Sequence, residues 1–295
     1  MLRFGYDIGG TNIAAGIIDE QNRLIAKNST KFPRGEGTEA VIAVCAELYR
    51  TVLKNAAIAE ESVAGVGAAV PGSVSPQDGI VIDAHNLGFH HTPLAAMLSD
   101  ALKKPVGLIN DADAATLAEH RIGALKGTNT SMMITIGTGI GGGLIVNGEL
   151  FRGGRGNGTE PGHMVLKNGG RLCSCGINGC AETYCSATRL CKDGAVFGKP
   201  TAKEVIEAAK EGNKQALALF WEYVDDFGSY IASIVNLLDP ERIAIGGGVS
   251  GAGSFLLDPL RADVEKKCFF ETCPEIVIAS AGNDAGIIGA CLIVS

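Results

Sequence analysis

The chain has 295 residues, of which 46% are hydrophobic and 19% charged, a composition typical of a globular protein. A chain of this length can bury a substantial core and is expected to divide into two lobes. Its formal net charge of −7 gives no electrostatic reason to bind nucleic acid or an anionic membrane. No stretch approaches the about 20 apolar residues of a membrane span, and the first residues, MLRFGYDIGG, lack a signal-peptide pattern. We therefore expect a cytoplasmic protein, and its nine cysteines, an odd number, indicate reduced thiols.

The N-terminal segment predicts an antiparallel meander of three strands, Arg3–Asp7, Ile13–Asp19 and Leu24–Thr30. Two glycines in its first turn let backbone N–H groups approach phosphate oxygens, and the acid at the end of the first strand could hold Mg²⁺ through water. The alternative is that the G-G-T sequence is only a hairpin turn. The candidate ligands are Asp7, Gly9, Gly10, Thr11 and Asn12.

An Asn-Asp-Ala-Asp sequence separates the predicted strand Val106–Ile109 from an alanine-rich helix. Asparagine and aspartate before a helix are common N-caps, and Asp113 is explained by that role. Asp111 is the candidate general base, because a carboxylate at the carboxyl end of a sheet strand is placed to take a proton from a substrate hydroxyl. The elements predicted upstream are a helix at Glu39–Lys54, a strand at Val63–Val70 and a helix at Leu94–Leu102.

A second glycine-rich turn, Gly137–Gly143, is predicted between the strands Met132–Ile136 and Leu144–Val146. The segments DIGGTNIAAGII and TIGTGIGGGLI match as strand, turn and strand with one residue skipped. Two related domains could each present such a hairpin and bind one nucleotide's phosphates from both sides of a cleft. A chance similarity is the alternative, because the match is short. The candidate ligands in this turn are Thr138 and Gly139.

The C-terminal part is predicted to contain a long packing helix at Lys214–Leu238, strands at Arg242–Ile245 and Ile276–Ser280, and a final helix from Ala285. The first of these strands is followed by three consecutive glycines, Gly246–Gly248. A flat purine or its ribose could lie against that exposed backbone, and the candidate contacts are Gly247 and Gly248.

The segment Glu160–Glu182 contains one histidine and three cysteines in a glycine-rich stretch without helical or strand periodicity. A Cys3His set completes tetrahedral coordination of zinc and leaves no position for water, so the predicted metal is structural. Free thiols and a disulfide are the alternatives, both less favoured by this clustering. The predicted ligands are His163, Cys173, Cys175 and Cys180.

The same segment is a candidate polyol site. If one ring nitrogen of His163 binds zinc, the other remains a fixed N–H donor, with Glu160 and Glu182 held nearby as acceptors. One donor and two acceptors on a rigid loop suit several adjacent sugar hydroxyls. The alternative is that both glutamates are solvated surface groups.

Taken together, these motifs resemble the ROK family of bacterial sugar kinases and related repressors, within the actin, Hsp70 and sugar kinase superfamily. No helix-turn-helix module precedes Asp7, which favours a kinase, and ETYCSATRL and GNDAGIIGA are most similar to the glucokinase branch. The motifs are DIGGTN at Asp7–Asn12, VPG at Val70–Gly72, NDA at Asn110–Ala112, GTGIGGG at Gly137–Gly143, ExGH at Glu160–His163, CxCGxxGCxE at Cys173–Glu182 and GGGV at Gly246–Val249.

The resemblance implies an α/β, two-lobed actin-like ATPase (ribonuclease H-like) fold with a mixed sheet flanked by helices in each lobe. We expect residues 1–112 and 283–295 to form a small lobe, and 113–282 a large lobe with the zinc-binding sugar loop. It also implies ATP and Mg²⁺ in a cleft and phosphorylation of a hexose at its 6-hydroxyl. Glucose is the expected acceptor, with N-acetylmannosamine, N-acetylglucosamine, fructose or allose as alternatives.

The resemblance further implies Asp111 as the base, a structural zinc on the Cys3His set, and a set of sugar contacts. A homodimer is the expected assembly, and a sugar-sensing protein without turnover is the alternative of another class. The chain departs from the family at Asn12, where lysine is frequent, and at Thr159 and Pro161 in the sugar loop. The implied sugar contacts are Gly72, Asn110, Asp111, Glu160, His163 and Glu182.

Overall fold

A computed structural model of the chain describes residues 1–154, 156 and 158–294. It divides into two compact units. Unit 1 comprises Met1–Gly123, Leu150–Gly158 and Ala281–Ser295, and unit 2 comprises Ala124–Glu149 and Thr159–Ser280.

Both units contain strands and helices. The strands are β1 (Leu2–Ile8), β2 (Asn12–Ile18), β3 (Leu24–Lys31), β4 (Val63–Val70), β5 (Ser73–Ser75), β6 (Ile80–Ala84), β7 (Phe89–Thr92), β8 (Val106–Asn110), β9 (Ser131–Ile136), β10 (Ile140–Val146), β11 (Glu149–Leu150), β12 (Arg242–Gly246) and β13 (Glu275–Ile278). The helices are α1 (Thr38–Asn55), α2 (Leu94–Leu102), α3 (Asp111–Ile122), α4 (Glu182–Cys185), α5 (Ala187–Ala195), α6 (Ala202–Lys210), α7 (Lys214–Leu238), α8 (Ser254–Lys267) and α9 (Ala285–Leu292).

Each unit is built on a five-stranded mixed sheet, and the two sheets have the same arrangement. The order is β3-β2-β1-β4-β8 in unit 1 and β11-β10-β9-β12-β13 in unit 2. In both, an antiparallel hairpin is followed by two parallel strands. The two glycine turns that match in sequence therefore join equivalent strands, and the expected α/β architecture with a mixed sheet in each lobe is confirmed.

Apolar faces of the helices cover these sheets. In unit 1 the buried side of α1, including Tyr49 and Val52, packs with β1 residues such as Phe4. In unit 2 the long helix α7 contributes Phe220 and Phe227 to the main core. Among the described residues, no helix combines the length and the apolarity needed to cross a bilayer.

Glycines bring α9 unusually close to the sheet of unit 1. A Cβ atom on Gly67 in β4 would overlap the carbonyl of Ala290, and one on Gly289 would overlap the carbonyl of Ala114 in α3. The backbones can approach only because these side chains are absent. Packing of α3 on α9 explains why residues 113–123 group with unit 1, whereas the boundary expected from the sequence assigned them to the large lobe.

The second glycine turn is shorter than the sequence pattern predicted. Only residues 137–139 connect β9 to β10, because Gly141 and Gly143 lie in β10, paired with Thr135 and Met133. Gly142, between them, has no room for a Cβ atom, which would meet the Met133 carbonyl. The prediction that Gly137–Gly143 forms one turn is therefore wrong, since three of its five glycines lie inside strand β10.

Candidate functional site

In the first glycine turn of unit 1, hydrogen bonds within the protein use the carbonyls of Gly10 and Asn12 and the amide of Gly9. The Gly9 amide donates to the Asn12 carbonyl at 2.9 Å, and Arg34 Nη2 donates to the Gly10 carbonyl at 3.1 Å. The amides of Gly10 and Thr11 donate to no group within the described residues. Backbone N–H groups left free in a glycine turn can donate to an anion, which is the chemistry that the predicted phosphate contact requires.

Asp7 and Asp111 form a pair of carboxylates in unit 1. Asp7 is the penultimate residue of β1, and its carboxylate lies against the backbone of Gly286 in α9. Burial, and secondarily the charge of Asp111, raises the pKa of Asp7 to about 6. A metal cation bound by these carboxylates would be attracted by their negative charge. The carboxyl group of Asp7 would also have an unusually high affinity for protons.

Asp111 is the first residue of α3, and one of its oxygens accepts a hydrogen bond from the Ala112 amide at 2.9 Å. The residue remains solvent-accessible, although protein surrounds its carboxylate on most sides. This partial removal from bulk water raises its pKa, and hydrogen bonds from the first-turn amides oppose that rise. The result is an accessible carboxylate of increased basicity, as a general base requires.

Asn110, and not Asp113, fills the N-cap role that the sequence predicted at the start of α3. Its Oδ1 accepts from the amides of Ala112 at 2.8 Å and Asp113 at 3.2 Å, which makes it the N-cap of α3. Its Nδ2 donates to the Gly72 carbonyl at 3.0 Å. Gly72 has a φ of 87°, a left-handed conformation that favours glycine. Asn110 thus fixes Gly72 beside Asp111, and within the described residues its second amide hydrogen has no partner.

In the second glycine turn, in unit 2, hydrogen bonds from neighbouring residues also use the carbonyl groups. The Ala187 amide donates to the Gly137 carbonyl at 3.0 Å, and Thr188 Oγ1 donates to the Thr138 carbonyl at 2.6 Å. Thr138 is exposed, and its amide and that of Gly139 donate to no group in the described parts of the chain. Each predicted hairpin therefore contains two amides that have no acceptor among the described residues.

Glu182 connects this turn to the rest of Glu160–Glu182, the cysteine segment. Its Oε2 accepts from the Ile140 amide at 3.0 Å, while its Oε1 accepts from the Cys173 thiol at 3.6 Å. A Cβ atom on Gly139 would overlap the carboxylate, so glycine is required there. The sequence identified Glu182 as a sugar contact, and this contact with the turn was missed.

The predicted metal ligands come together within unit 2. Their ligand atoms all lie within 4.8 Å of one another. Cys173 Sγ is 3.7 Å from His163 Nδ1, and Cys175 Sγ is 3.6 Å from Cys180 Sγ. Four ligands held tetrahedrally at zinc distances are about 3.5–3.8 Å apart, so the observed spacings fit a zinc ion.

Proton affinity differs among these thiols. Burial and the neighbouring thiols raise the pKa of Cys180 to about 12. A hydrogen bond from the Ile177 amide is the main cause of a lowered pKa at Cys175. A metal bound by these sulfur atoms would displace their protons, so its affinity would increase with pH.

A short 3₁₀ turn, Pro161–His163, sets the direction of the histidine. The His163 amide donates to the Glu160 carbonyl at 3.1 Å, and Pro161 and Gly162 are buried against the backbone of β10. Because Nδ1 faces the thiols, Nε2 is the nitrogen left for another ligand. Glu160 itself is exposed at the start of this turn.

The two glycines that follow β12, Gly247 and Gly248, differ in how closely other backbone packs against them. Gly247 has a φ of 82°, and a Cβ atom there would overlap the Ile136 carbonyl at the end of β9. Gly248 is exposed and has open space around its Cα atom. Close packing accounts for Gly247, whereas Gly248 keeps an open backbone surface.

The predicted site residues fall into one group in each unit. Unit 1 contains Asp7, Gly9, Gly10, Thr11, Asn12, Gly72, Asn110 and Asp111. Unit 2 contains Thr138, Gly139, Glu160, His163, Cys173, Cys175, Cys180, Glu182, Gly247 and Gly248.

Comparison with known proteins gives matches over nearly the whole chain. The ROK family profile matches residues 3–295. A glucokinase from Thermotoga maritima is 35% identical over 98% of this chain and 96% of its own length. Among solved structures, the ROK hexokinase from Thermus thermophilus superposes with a TM-score of 0.86 at 34% identity, covering 99% of this chain and 97% of that one.

A ROK family glucokinase from Streptomyces griseus, solved in complex with glucose and AMPPNP, superposes with a TM-score of 0.83 at 31% identity. The superposition covers 100% of this chain and 99% of that one. The expected actin-like ATPase fold is confirmed by these neighbours. With the profile match over residues 3–295, they show that this chain belongs to the ROK family.

Proposed function

We propose that the chain is an ATP-dependent hexose kinase that phosphorylates glucose at its 6-hydroxyl. The observation that carries the proposal is similarity over the full length to a glucokinase solved with glucose and an ATP analogue. The carboxylate and the glycine turns that such a reaction needs are present in this chain. Among alternative acceptors, N-acetylmannosamine, N-acetylglucosamine, fructose and allose differ from glucose mainly in groups that the sugar loop would contact.

In the proposed reaction, Asp111 accepts the proton of the 6-hydroxyl as that oxygen attacks the γ-phosphorus of ATP. The bond from the γ-phosphorus to the bridging oxygen of ADP breaks, and ADP leaves. The raised pKa of Asp111 favours this proton acceptance. Its place at the N-terminus of α3, fixed by the Asn110 cap, holds the carboxylate in one orientation.

The two glycine turns would bind the phosphates through their free amides. Gly10 and Thr11 supply them in unit 1, and Thr138 and Gly139 in unit 2. Asp7 would hold Mg²⁺ through water, and when bound the ion would neutralise charge on the phosphate oxygens. Gly248 offers backbone surface to the nucleoside.

The sugar would be bound by groups that already have fixed positions. His163 Nε2 would donate to a hydroxyl, and the carboxylates of Glu160 and Glu182 would accept from others. In unit 1, the free amide hydrogen of Asn110 would donate beside Gly72. Zinc on the Cys3His set would hold His163 in place without taking part in chemistry, because four protein ligands leave it closed.

Replacement of Asp111 by Asn tests the proposed base. Turnover should fall by about 10²–10⁴-fold, because the amide cannot take the hydroxyl proton, while glucose affinity changes little. The matched control is Asp113→Asn, two residues further into the same helix, which should keep turnover within a few-fold. The measurement is ADP release with glucose and the four alternative sugars.

The same panel decides the acceptor and the class of protein. The sugar with the highest kcat/KM identifies the substrate. Sugar binding without ADP release from any of the five would contradict the kinase proposal. Near-normal turnover of Asp111→Asn would remove Asp111 from the base role.

Metal content tests the cysteine cluster. Protein purified without added metal should contain about one zinc per chain, and Cys175→Ser should lose it because one of four ligands is replaced by a weaker one. Cys191→Ser, in α5 outside the cluster, is the control and should retain the metal. Zinc-free native protein would refute the assignment.

The raised pKa of Asp7 predicts a pH-dependent effect on stability. The folded pKa of about 6 exceeds the ordinary value of 3.8, so the folded state binds the proton more tightly than the unfolded state. The free energy of unfolding should therefore decrease as pH rises from about 4 through 6. Asp7→Asn should remove this loss and stabilise the protein at pH 7.5 by up to about 3 kcal/mol.

Urea unfolding at pH 7.5 and pH 4 measures this effect. The gain from Asp7→Asn should disappear at pH 4, where native Asp7 is also uncharged in the folded state. The control is Asp100→Asn on the exposed surface of α2, which should leave both midpoints unchanged. Equal stabilities of native protein and Asp7→Asn at pH 7.5 would contradict the buried-charge account.

A further inference from the structure

An ion pair between the partly exposed side chain of Lys167 and the buried carboxylate of Asp226 attaches the cysteine segment to helix α7. Lys167 Nζ lies 2.6 Å from Asp226 Oδ1 and 2.9 Å from Oδ2. Asp226 is only 6% exposed and stands in the interior of α7, where its backbone groups are already used by the helix. Burying a carboxylate without a partner is strongly unfavourable, so this acid requires the ammonium group.

The same lysine contacts α4, the helix that begins at Glu182. Lys167 Nζ is 4.6 Å from the ring centre of Tyr184, and Arg171 Cζ is also 4.6 Å from it. The Tyr184 hydroxyl accepts from the Arg171 amide at 2.9 Å. Two cations on the faces of one aromatic ring, with its hydroxyl hydrogen-bonded, leave Tyr184 little freedom to rotate.

Helix α7 also binds the other end of α4. Tyr223 Oη donates to the Cys185 carbonyl at 2.8 Å. Tyr223 and Asp226 are three residues apart, so they lie on one face of α7. This face therefore contacts α4 directly through Tyr223 and indirectly through Asp226, Lys167 and the Tyr184 ring.

Backbone hydrogen bonds carry the constraint to the metal ligands. The amides of Leu166 and Lys167 donate to the Gly179 carbonyl at 2.8 and 3.1 Å, immediately before Cys180. The Ala181 amide donates to the Met164 carbonyl at 2.8 Å, next to His163. This strand-like pairing thus connects the backbone beside His163 and beside Cys180 to Lys167, whose side chain Asp226 binds.

We infer that Lys167 and Asp226 are positioning residues that fix Glu182 and the Cys3His cluster on α7 through contacts that need no metal. Neither side chain touches the residues assigned to sugar or phosphate. Their effect on catalysis rests on the proposed function and acts through the orientation of His163 and Glu182. Their effect on the order of the cysteine segment is independent of it.

The test replaces Lys167 by Met, which keeps much of the chain length and removes the charge. The matched control is Lys210→Met, since Lys210 also pairs with an acid, Glu207 at 3.2 Å, and lies 5.8 Å from an aromatic ring, that of Phe255. In Lys167→Met the KM for glucose should rise at least about tenfold while kcat at saturating glucose changes little. Lys167→Arg should restore KM, because it restores the cation.

Hydrogen–deuterium exchange of residues 164–184 provides a readout that needs neither sugar nor ATP. Exchange should be faster in Lys167→Met and unchanged in Lys210→Met. If Lys167→Met does not fold, the double variant Lys167→Met/Asp226→Asn, which leaves no lone buried carboxylate, takes its place with the same expectation.

The outcomes separate the two proposals. Faster exchange with a raised KM supports the positioning role. Unchanged exchange overturns it whether or not the chain phosphorylates glucose, and faster exchange with unchanged KM in an active kinase overturns the link to the sugar site. Faster exchange in a protein without kinase activity supports the attachment and contradicts the proposed function alone.

Discussion

The carboxylate of Glu182 is the interaction on which the site of unit 2 depends. One oxygen accepts from the Ile140 amide at 3.0 Å, and the other contacts the Cys173 thiol at 3.6 Å. A single side chain therefore relates the turn proposed to bind phosphate to the segment proposed to bind metal and sugar. Gly139 must lack a side chain because a Cβ atom there would overlap the Glu182 carboxylate. Helix α7 binds α4 through the hydrogen bond from Tyr223 to the Cys185 carbonyl. The contacts of the Glu182 carboxylate and the packing of α4 on α7 thus both restrict the orientation of Glu182.

Close backbone approaches account for much of the glycine content of the chain. Gly67 and Gly289 let α9 reach the sheet and α3 in unit 1, while Gly142 and Gly162 let the Pro161 turn rest on β10 in unit 2. A turn that needs a left-handed φ is a different requirement, met at Gly72. In both units the consequence is that the backbone at these glycines cannot shift without a steric clash.

Local sequence patterns predicted most elements, because hydrophobic periodicity and turn residues act over a few positions. The meander Arg3–Thr30 and the helix Lys214–Leu238 are examples that the structure confirms, and the four residues of the Cys3His set lie together. Features that depend on distant partners were not predictable. Neither the Asn110–Gly72 hydrogen bond, which joins residues 38 positions apart, nor the Lys167–Asp226 pair, which joins residues 59 positions apart, leaves a local pattern. The glycines of β10 were assigned to a turn because their packing partner lies outside the motif.

The central claim is that a metal on the Cys3His set organises the sugar-binding groups without performing chemistry. Calorimetric titration of glucose into zinc-loaded and zinc-stripped protein tests it most directly, with AMPPNP titration as the control for folding. The account predicts that stripping weakens glucose binding at least about tenfold and leaves AMPPNP binding unchanged. Equal glucose affinities for the two forms would contradict it.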